Sequence, residues 1–440
     1  MKIMISKKKL ILMMLTLLFL ASYHLSYAFY IYPTFEYAYY GYHPSSIYLL
    51  ILAYLCSLFP LFFYKMTMTP ANYGLALIYT FCFSPSLLTV TFQWNSDGVS
   101  LAILLIMFSA CMCLLFSSVY LKSIHSSDSR ELKSNVARVA INILTLISLV
   151  YLIHDNYKHM RFVGFYDVYA LRFEARDAGG SVLSGYLGML LSICFIPYYA
   201  TIGLLNKKWR YLIFAVACGL LVYASNGSKS TLFMPFVVIT MYVLISYRKI
   251  NFLTSIILLM TSTILILYSI DLPQLRMTKA IFYMRTLATP GWTLVTYYDY
   301  FSQYGYTYFS HIGIVNYLTG LYPYGNYSLG QMIGIDYSGS SDANFNANFW
   351  ASDGFASLGM IGLLPATLFM ACIVRIIDRV AMNYDTTFVA LWLTGFWMTI
   401  LNAPITTSLL SGGGIIVLLF LFTKYNIRFR KFSSIKDGKG

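Results

Sequence analysis

Residues 99–121 read VSLAILLIMFSACMCLLFSSVYL, twenty-three positions without one Asp, Glu, Lys or Arg. A strand seldom exceeds about ten residues, and a helix that is apolar on every face has no place on the surface of a soluble domain. The length fits the roughly 20 apolar residues that carry a helix across a bilayer. Working outward in both directions, apolar runs of helical length recur at 10–28, 46–64, 71–91, 137–153, 181–204, 211–225, 231–247, 252–270, 355–374, 387–404 and 409–423. With 99–121 they predict an all-α polytopic membrane protein of about twelve spans, both termini on one side.

Composition agrees. The chain of 440 residues is 59% hydrophobic and 10% charged, with mean hydropathy +0.67. Soluble domains carry about 25% charged residues, so a globular cytoplasmic enzyme is excluded. An aromatic content of 18% excludes disorder, whose signature is a shortage of such residues.

The net charge of +14 is a topology signal and predicts no nucleic-acid partner. The N-terminus, the tail from Lys424 and alternate loops between the predicted spans hold 22 of the 30 Lys and Arg with five acids; the other side holds eight bases and eleven acids. Basic loops stay in the cytoplasm. Both termini are therefore expected there, with 154–180 and 271–354 facing outward. Lys7, Lys8 and Lys9 before an apolar run resemble a signal peptide, read here as a retained first span. All seven cysteines fall in predicted spans, the pattern of apolar packing rather than of a disulfide framework.

The predicted spans carry no Asp, Glu, Lys or Arg in their central stretches, unlike ion-coupled transporters, and no internal repeat is evident. The cytoplasmic loops hold no nucleotide motif. Chemistry is expected at the outer face. There 271–354 is long enough for an extramembrane layer with short helices, and loops beyond about 15 residues are usually functional or disordered.

Five constellations stand in or beside those outward segments. Arg172 and Arg176 in RFEARD share a face if helical and could grip phosphates with paired guanidinium forks; the plainer reading pairs them with Glu174 and Asp177. Lys229 in SNGSKS offers a pinned point charge for a diphosphate, or a snorkelling helix-end lysine. Arg276, Lys279 and Arg285 lie on a short interfacial pattern with Leu275, Ile281, Phe282 and Met284; the first two read best as headgroup anchors and Arg285 as a phosphate contact. Eleven tyrosines between Gly291 and Ser340, with His311 among them, outnumber what an interfacial belt needs. Tyr304 and Tyr306 are the candidates for stacking on sugars. Finally DANFNANFWASDGFASLGMIG at 342–362 sets carboxylates and amides at an apolar boundary, where unpaired polar groups cost several kcal/mol. Asn346, Asn348 and Trp350 are candidate sugar contacts, and Asp353, Asp342 and His311 candidate proton acceptors. The plainer reading is a solvated loop running into a helix.

The NANFWA…GFA…LGMIG run at 346–362 and the SNGSKST turn at 225–231, on this topology, resemble the bacterial O-antigen polymerases, which join oligosaccharide repeat units. The resemblance implies a C-type glycosyltransferase fold. It also implies a substrate carried on undecaprenyl diphosphate and elongation at the outer face of the inner membrane, with a chain-length regulator as possible partner. Asn346 and Asn348 stand where the related ligases often have histidine. Eleven residues beyond Arg172 and Arg176 stand Leu183 and Leu187, where some polymerases carry glycine. On this reading Arg172, Arg176, Lys229 and Arg285 stabilise the departing diphosphate, and no metal or other cofactor is expected. The rivals are a ligase moving finished polysaccharide onto lipid A core, and a lipid-linked oligosaccharide flippase or exporter, which would need a cationic central cavity.

Overall fold

The computed structural model describes residues 6–44, 46–121, 134–164, 168, 181–247, 250–340, 345, 347 and 349–423. All regular structure among the described residues is helical. Nine of these helices are long and apolar enough to cross a membrane: Lys7–Ala38, Pro70–Gln93, Gly98–Ser118, Val136–Asn156, Val182–Leu205, Trp209–Asn226, Lys229–Ser246, Phe252–Ser269 and Trp350–Ala381. This is the make-up of a polytopic membrane protein. The run expected at 46–64 forms the shorter apolar helix Ile47–Phe62. The two runs expected at 387–404 and 409–423 are broken into Thr386–Trp392, Thr394–Ile400, Ile405–Leu409 and Gly414–Phe422. Pro404 and the Gly412-Gly413-Gly414 triplet, with Gly413 at φ +75°, interrupt them, because proline and glycine are the poorest helix formers.

Among the described residues four helices contain a π turn, and each turn ends just before an X-Pro pair. Tyr27–Ile31 precedes Tyr32-Pro33, Ile78–Phe83 precedes Ser84-Pro85, Leu191–Phe195 precedes Ile196-Pro197, and Met284–Ala288 precedes Thr289-Pro290. In each case the last N–H before the proline reaches back five residues: Tyr32 to Tyr27, Ser84 to Tyr79, Ile196 to Leu191, and Thr289 to Met284. A proline ring inside a helix clashes with the carbonyl four residues back and removes one N–H. The wider turn moves that carbonyl aside and lets the helix continue.

The chain divides into two compact units. The first comprises residues 1–123, 247–378 and 397–407. Its centre is the pairing of Thr289–Tyr304, buried over residues 289–297, with Ser84–Gln93, buried at every position. Gly291 permits the approach, since a Cβ there would stand 2.6 Å from Cβ of Thr89. The N-terminus of Pro70–Gln93 is fixed by Asp378, whose carboxylate accepts from Ala71 N (3.1 Å) and Thr69 Oγ1 (3.2 Å). The second unit comprises residues 124–246, 379–396 and 408–440. In it Gly203 closes against the backbone of Leu212, and Trp392 donates from Nε1 to the Cys194 carbonyl at 3.0 Å.

Two expectations about 271–354 are revised. The segment holds more than short helices, because Arg276–Tyr304 runs without a break through its π turn, and residues 289–297 are buried. Lys279 is no headgroup anchor. It is 3% exposed; its ammonium donates to the Ile270 carbonyl and lies 5.4 Å from the centre of the Tyr30 ring. A free carbonyl at the end of Phe252–Ser269 and an aromatic face satisfy the charge inside the protein.

The helix that begins at Trp350 breaks at Gly359–Gly362 before resuming at Leu363. Gly359 holds φ +64° and ψ −148°, and a Cβ there would stand 2.7 Å from the Tyr306 hydroxyl. Gly354 packs against the Gly362 carbonyl, 2.5 Å from where its Cβ would be. Only glycine occupies that φ/ψ region without strain of about 1–3 kcal/mol. Gly359→Ala is therefore expected to lower the thermal midpoint of the detergent-solubilised protein. Gly185→Ala, where a Cβ meets nothing within 4 Å, should leave it unchanged or raise it. Equal midpoints for Gly359→Ala and the parent would show that this corner is not a constraint.

Candidate functional site

The Thr289–Tyr304 helix ends at Gly305, with φ +103°, and the chain then passes Thr307 and two consecutive left-handed residues, Tyr308 (φ +51°) and Phe309 (φ +62°), before reaching His311. Non-glycine residues in that region are strained. The loop is held by Thr307 N and Tyr308 N, which donate at 2.9 Å to the carbonyls of Ala356 and Ser357 at the end of the Trp350–Leu358 helix. The Tyr324 hydroxyl adds a bond to the Gly305 carbonyl at 2.7 Å. The result brings His311 onto Asp353, forty-two positions away in sequence: Nε2 stands 2.8 Å from Oδ1, with the two side chains 8% and 7% exposed. Of the three proton acceptors expected from sequence, the structure joins two; Asp342 lies outside the described residues.

The proton count between these two atoms follows from their neighbours. Nδ1 of His311 is 3.0 Å from Thr307 Oγ1, which is also 3.2 Å from the Ala356 carbonyl. If the threonine proton goes to the carbonyl, Nδ1 must carry its own hydrogen. A bare Nε2 would then face a carboxylate oxygen, and two lone pairs cannot rest 2.8 Å apart. If the threonine donates to Nδ1, the ring hydrogen is on Nε2. Either way one proton occupies the gap between imidazole and carboxylate. Nε2 and Oδ1 have only each other among the described groups, and the neighbouring Ser352 hydroxyl is buried without a hydrogen bond among the described residues. Buried polar groups normally find several partners. An imidazole and a carboxylate left with one shared contact, on a strained loop and a broken helix, mark a candidate site.

The remaining sequence candidates divide. Arg172, Arg176, Asn346 and Asn348, like Asp342, lie outside the described residues. Lys229 starts the Lys229–Ser246 helix of the second unit, half-buried. Arg285 is exposed on the π turn of the first unit. Tyr306 is half-buried against Gly359, its ring 6.2 Å from that of Phe355. Trp350 is corrected: it is fully buried and its indole N–H donates to Thr367 Oγ1 at 3.0 Å, so its ring belongs to the helix core and offers no face to a sugar.

Tyr304 is exposed and lines a cavity of about 400 Å³ with Asn95, Ser96, Asp299, Tyr300, Gln303, Asp336 and Tyr337. The Tyr300 and Tyr304 rings lie 4.6 Å apart. Burial pushes the Asp299 carboxyl up to about 6, and it raises the Tyr337 phenol, helped by the charges of Asp299 and Asp336. The sequence displays these acids openly, Asp299 inside a run of aromatic residues and Asp336 before Tyr337. What it does not display is that Asn95 and Ser96, two hundred positions earlier, close the same wall.

A comparison with protein-family models, with curated proteins and with solved structures finds no match to this chain.

The Asp299 shift has a measurable consequence. Its folded-state pKa lies above the ordinary 3.8, so the fold disfavours the ionised form. That penalty is present above about pH 6 and vanishes as pH falls through 6 toward 4. Asp299→Asn is expected to raise the thermal midpoint at about pH 7.5 and to lose most of that advantage near pH 4. A midpoint below the parent's at the higher pH would contradict this desolvation.

Proposed function

We propose that the protein is a repeat-unit polymerase of the O-antigen or capsular type, a C-type glycosyltransferase of about twelve spans working at the outer face of the bacterial inner membrane. The observation that supports the reading is the His311–Asp353 pair, an imidazole and a carboxylate held 2.8 Å apart near the N-terminal end of an apolar helix. A lipid-linked glycan supplies its reducing-end C1, and undecaprenyl diphosphate leaves. The terminal hydroxyl of a second lipid-linked repeat unit attacks. The new bond joins that oxygen to C1, the C1–diphosphate bond breaks with its electron pair going to the diphosphate, and the hydroxyl proton passes to Asp353. One carboxylate oxygen is already engaged with His311, which orients it; the other is the acceptor. A positioned base contributes about 10²–10⁴-fold.

The leaving group is already stable as an anion, and in this reading Arg172, Arg176, Arg285 and Lys229 stabilise its charge. Tyr304 and Tyr306, with Asn346 and Asn348, are the proposed sugar contacts. A deletion strain should keep single repeat units on its surface and lose the long-chain ladder. Asp353→Asn supplied in trans should fail to restore the ladder at unchanged membrane abundance, with His311→Gln restoring it only partly. A strain that loses single units as well would favour the flippase or ligase reading. A full ladder with Asp353→Asn would remove the assigned base.

Sidedness is tested separately. Of the seven cysteines six are buried and Cys372 is exposed. In a Cys372→Ala background, a cysteine at Ser302 should react with a membrane-impermeant maleimide added to whole cells, and one at Ser126 should not. The reverse pattern would invert the proposed orientation.

A further inference from the structure

The cavity around Asp299 has a chemistry different from everything the polymerase reading assigns to the diphosphate. Among the described residues, its lining contains two carboxylates, two amides, one hydroxyl and three tyrosines, and no Lys, Arg or His. In a chain of net charge +14 this is a local reversal of sign. A phosphate, diphosphate or uronate would meet Asp299 and Asp336 unscreened and be repelled. A bare cation would take the carboxylates and the amide oxygens of Asn95 and Gln303, but it would leave the rings of Tyr300, Tyr304 and Tyr337 without a task. A saccharide uses them all: carboxylates accept hydrogen bonds from adjacent hydroxyls, amides donate and accept, and tyrosine rings cover the C–H face. At about 400 Å³ the space falls in the roughly 300–1,000 Å³ range of small-ligand sites.

Position ties this wall to the chemistry. Asp299, Tyr300, Gln303 and Tyr304 occupy the last turns of the Thr289–Tyr304 helix. Three residues further on stands Thr307, which contacts His311; a three-residue segment spans at most about 11 Å. The cavity wall at Tyr304 is therefore within about 11 Å, along the backbone, of the residue that contacts His311. Asp299 makes no hydrogen bond to a described residue, and Tyr337 is braced from behind by Tyr39, whose hydroxyl donates to the Tyr337 carbonyl at 2.8 Å with the rings 4.7 Å apart.

We propose that this cavity binds an uncharged, hydroxyl-rich saccharide, the terminal sugars of the acceptor glycan. The word acceptor rests on the polymerase reading; the saccharide chemistry does not. The proposal also fixes a specificity: the sugars seated here carry no carboxylate or phosphate, whatever the rest of the repeat unit contains.

The test is saturation-transfer NMR on the purified full-length protein in nanodiscs. The probe is the free oligosaccharide released by mild acid from the cell's own lipid-linked repeat unit. Transfer to its non-reducing sugars is expected, and inorganic pyrophosphate or glucuronate should not compete. Tyr304→Ala and the pair Asp299→Asn/Asp336→Asn should each weaken binding on the order of tenfold or more, the scale of losing hydrogen bonds to charged groups. Tyr304 is exposed and Asp299→Asn relieves a buried charge, so both variants should fold; their thermal midpoints check this. Binding unaffected by folded variants would overturn the assignment, as would competition by pyrophosphate. Calcium binding that the double variant abolishes, with no transfer to the oligosaccharide, would overturn it in favour of a cation site. No lipid-linked donor is present and no extension is read, so failure here is separate from failure of Asp353→Asn to block the ladder.

Discussion

Every polar group on an apolar helix must find its partner within the protein. In a hydrocarbon setting water cannot accept the bond, and that constraint shapes the molecule down to single hydroxyls. Thr16 bonds back to Leu12, Ser22 to Leu18, Ser26 to Ser22, Ser57 to Ala53, Thr80 to Ala76 and Thr91 to Leu87, each to the carbonyl four residues earlier on its own helix. The same demand places the Lys279 ammonium on the Ile270 carbonyl and the Tyr23 hydroxyl on Thr89 at 2.5 Å. The π turns before Pro33, Pro85, Pro197 and Pro290 answer it for the backbone. Against that economy, a buried imidazole and carboxylate that meet only each other, His311 and Asp353, are a departure, and departures from local consistency gather at functional sites.

The departure is structural before it is chemical. Asp353 can be buried because the helix carrying it ends six residues later, at a glycine no other residue replaces without strain. The carbonyls of Ala356 and Ser357, freed by that ending, are the ones that capture Thr307 and Tyr308. Capture of those two amides forces the left-handed turn through Tyr308 and Phe309, and the turn delivers His311. The break at Gly359, the loop conformation and the His311–Asp353 contact are one device: remove the helix end and the loop has no anchor, remove the loop and the carboxylate has no partner.

Much of the architecture is legible from the sequence, for a physical reason. A span is defined locally, by some twenty apolar residues in a row, so nine membrane-length helices coincide with runs visible in the chain. The broken C-terminal pair was hidden by the strongly apolar runs on either side of Pro404 and the three glycines that interrupt it. The buried helix Thr289–Tyr304 was hidden for the opposite reason: Asp299, Gln303 and its tyrosines read as an interface loop, yet Gly291 and the small hydroxyl residues Ser86 and Thr89 let it pack as tightly as an apolar one. Trp350 carried an ambiguous signal, since an indole suits a sugar platform and a helix core equally, and Thr367, seventeen residues on, decided it. The pairing of His311 with Asp353 could not be read at all. Each residue is conspicuous, but their meeting depends on two positive-φ residues that sequence pattern does not announce.

The distribution of charge gives the proposed reaction its internal logic. A departing diphosphate calls for cations and a hydroxyl losing its proton calls for an anion, and the two demands conflict if met at one spot. A guanidinium beside a carboxylate lowers its proton affinity and would make Asp353 a poorer base. Among the described residues, the lining around Asp299 and Asp336 is free of Lys and Arg. On the proposed reading, the acceptor end of a glycan meets acids, amides and aromatic rings there. The basic residues proposed for the diphosphate belong at other positions in the chain. In the proposed reaction the nucleophile and the leaving group thus each call for the sign of charge that favours it.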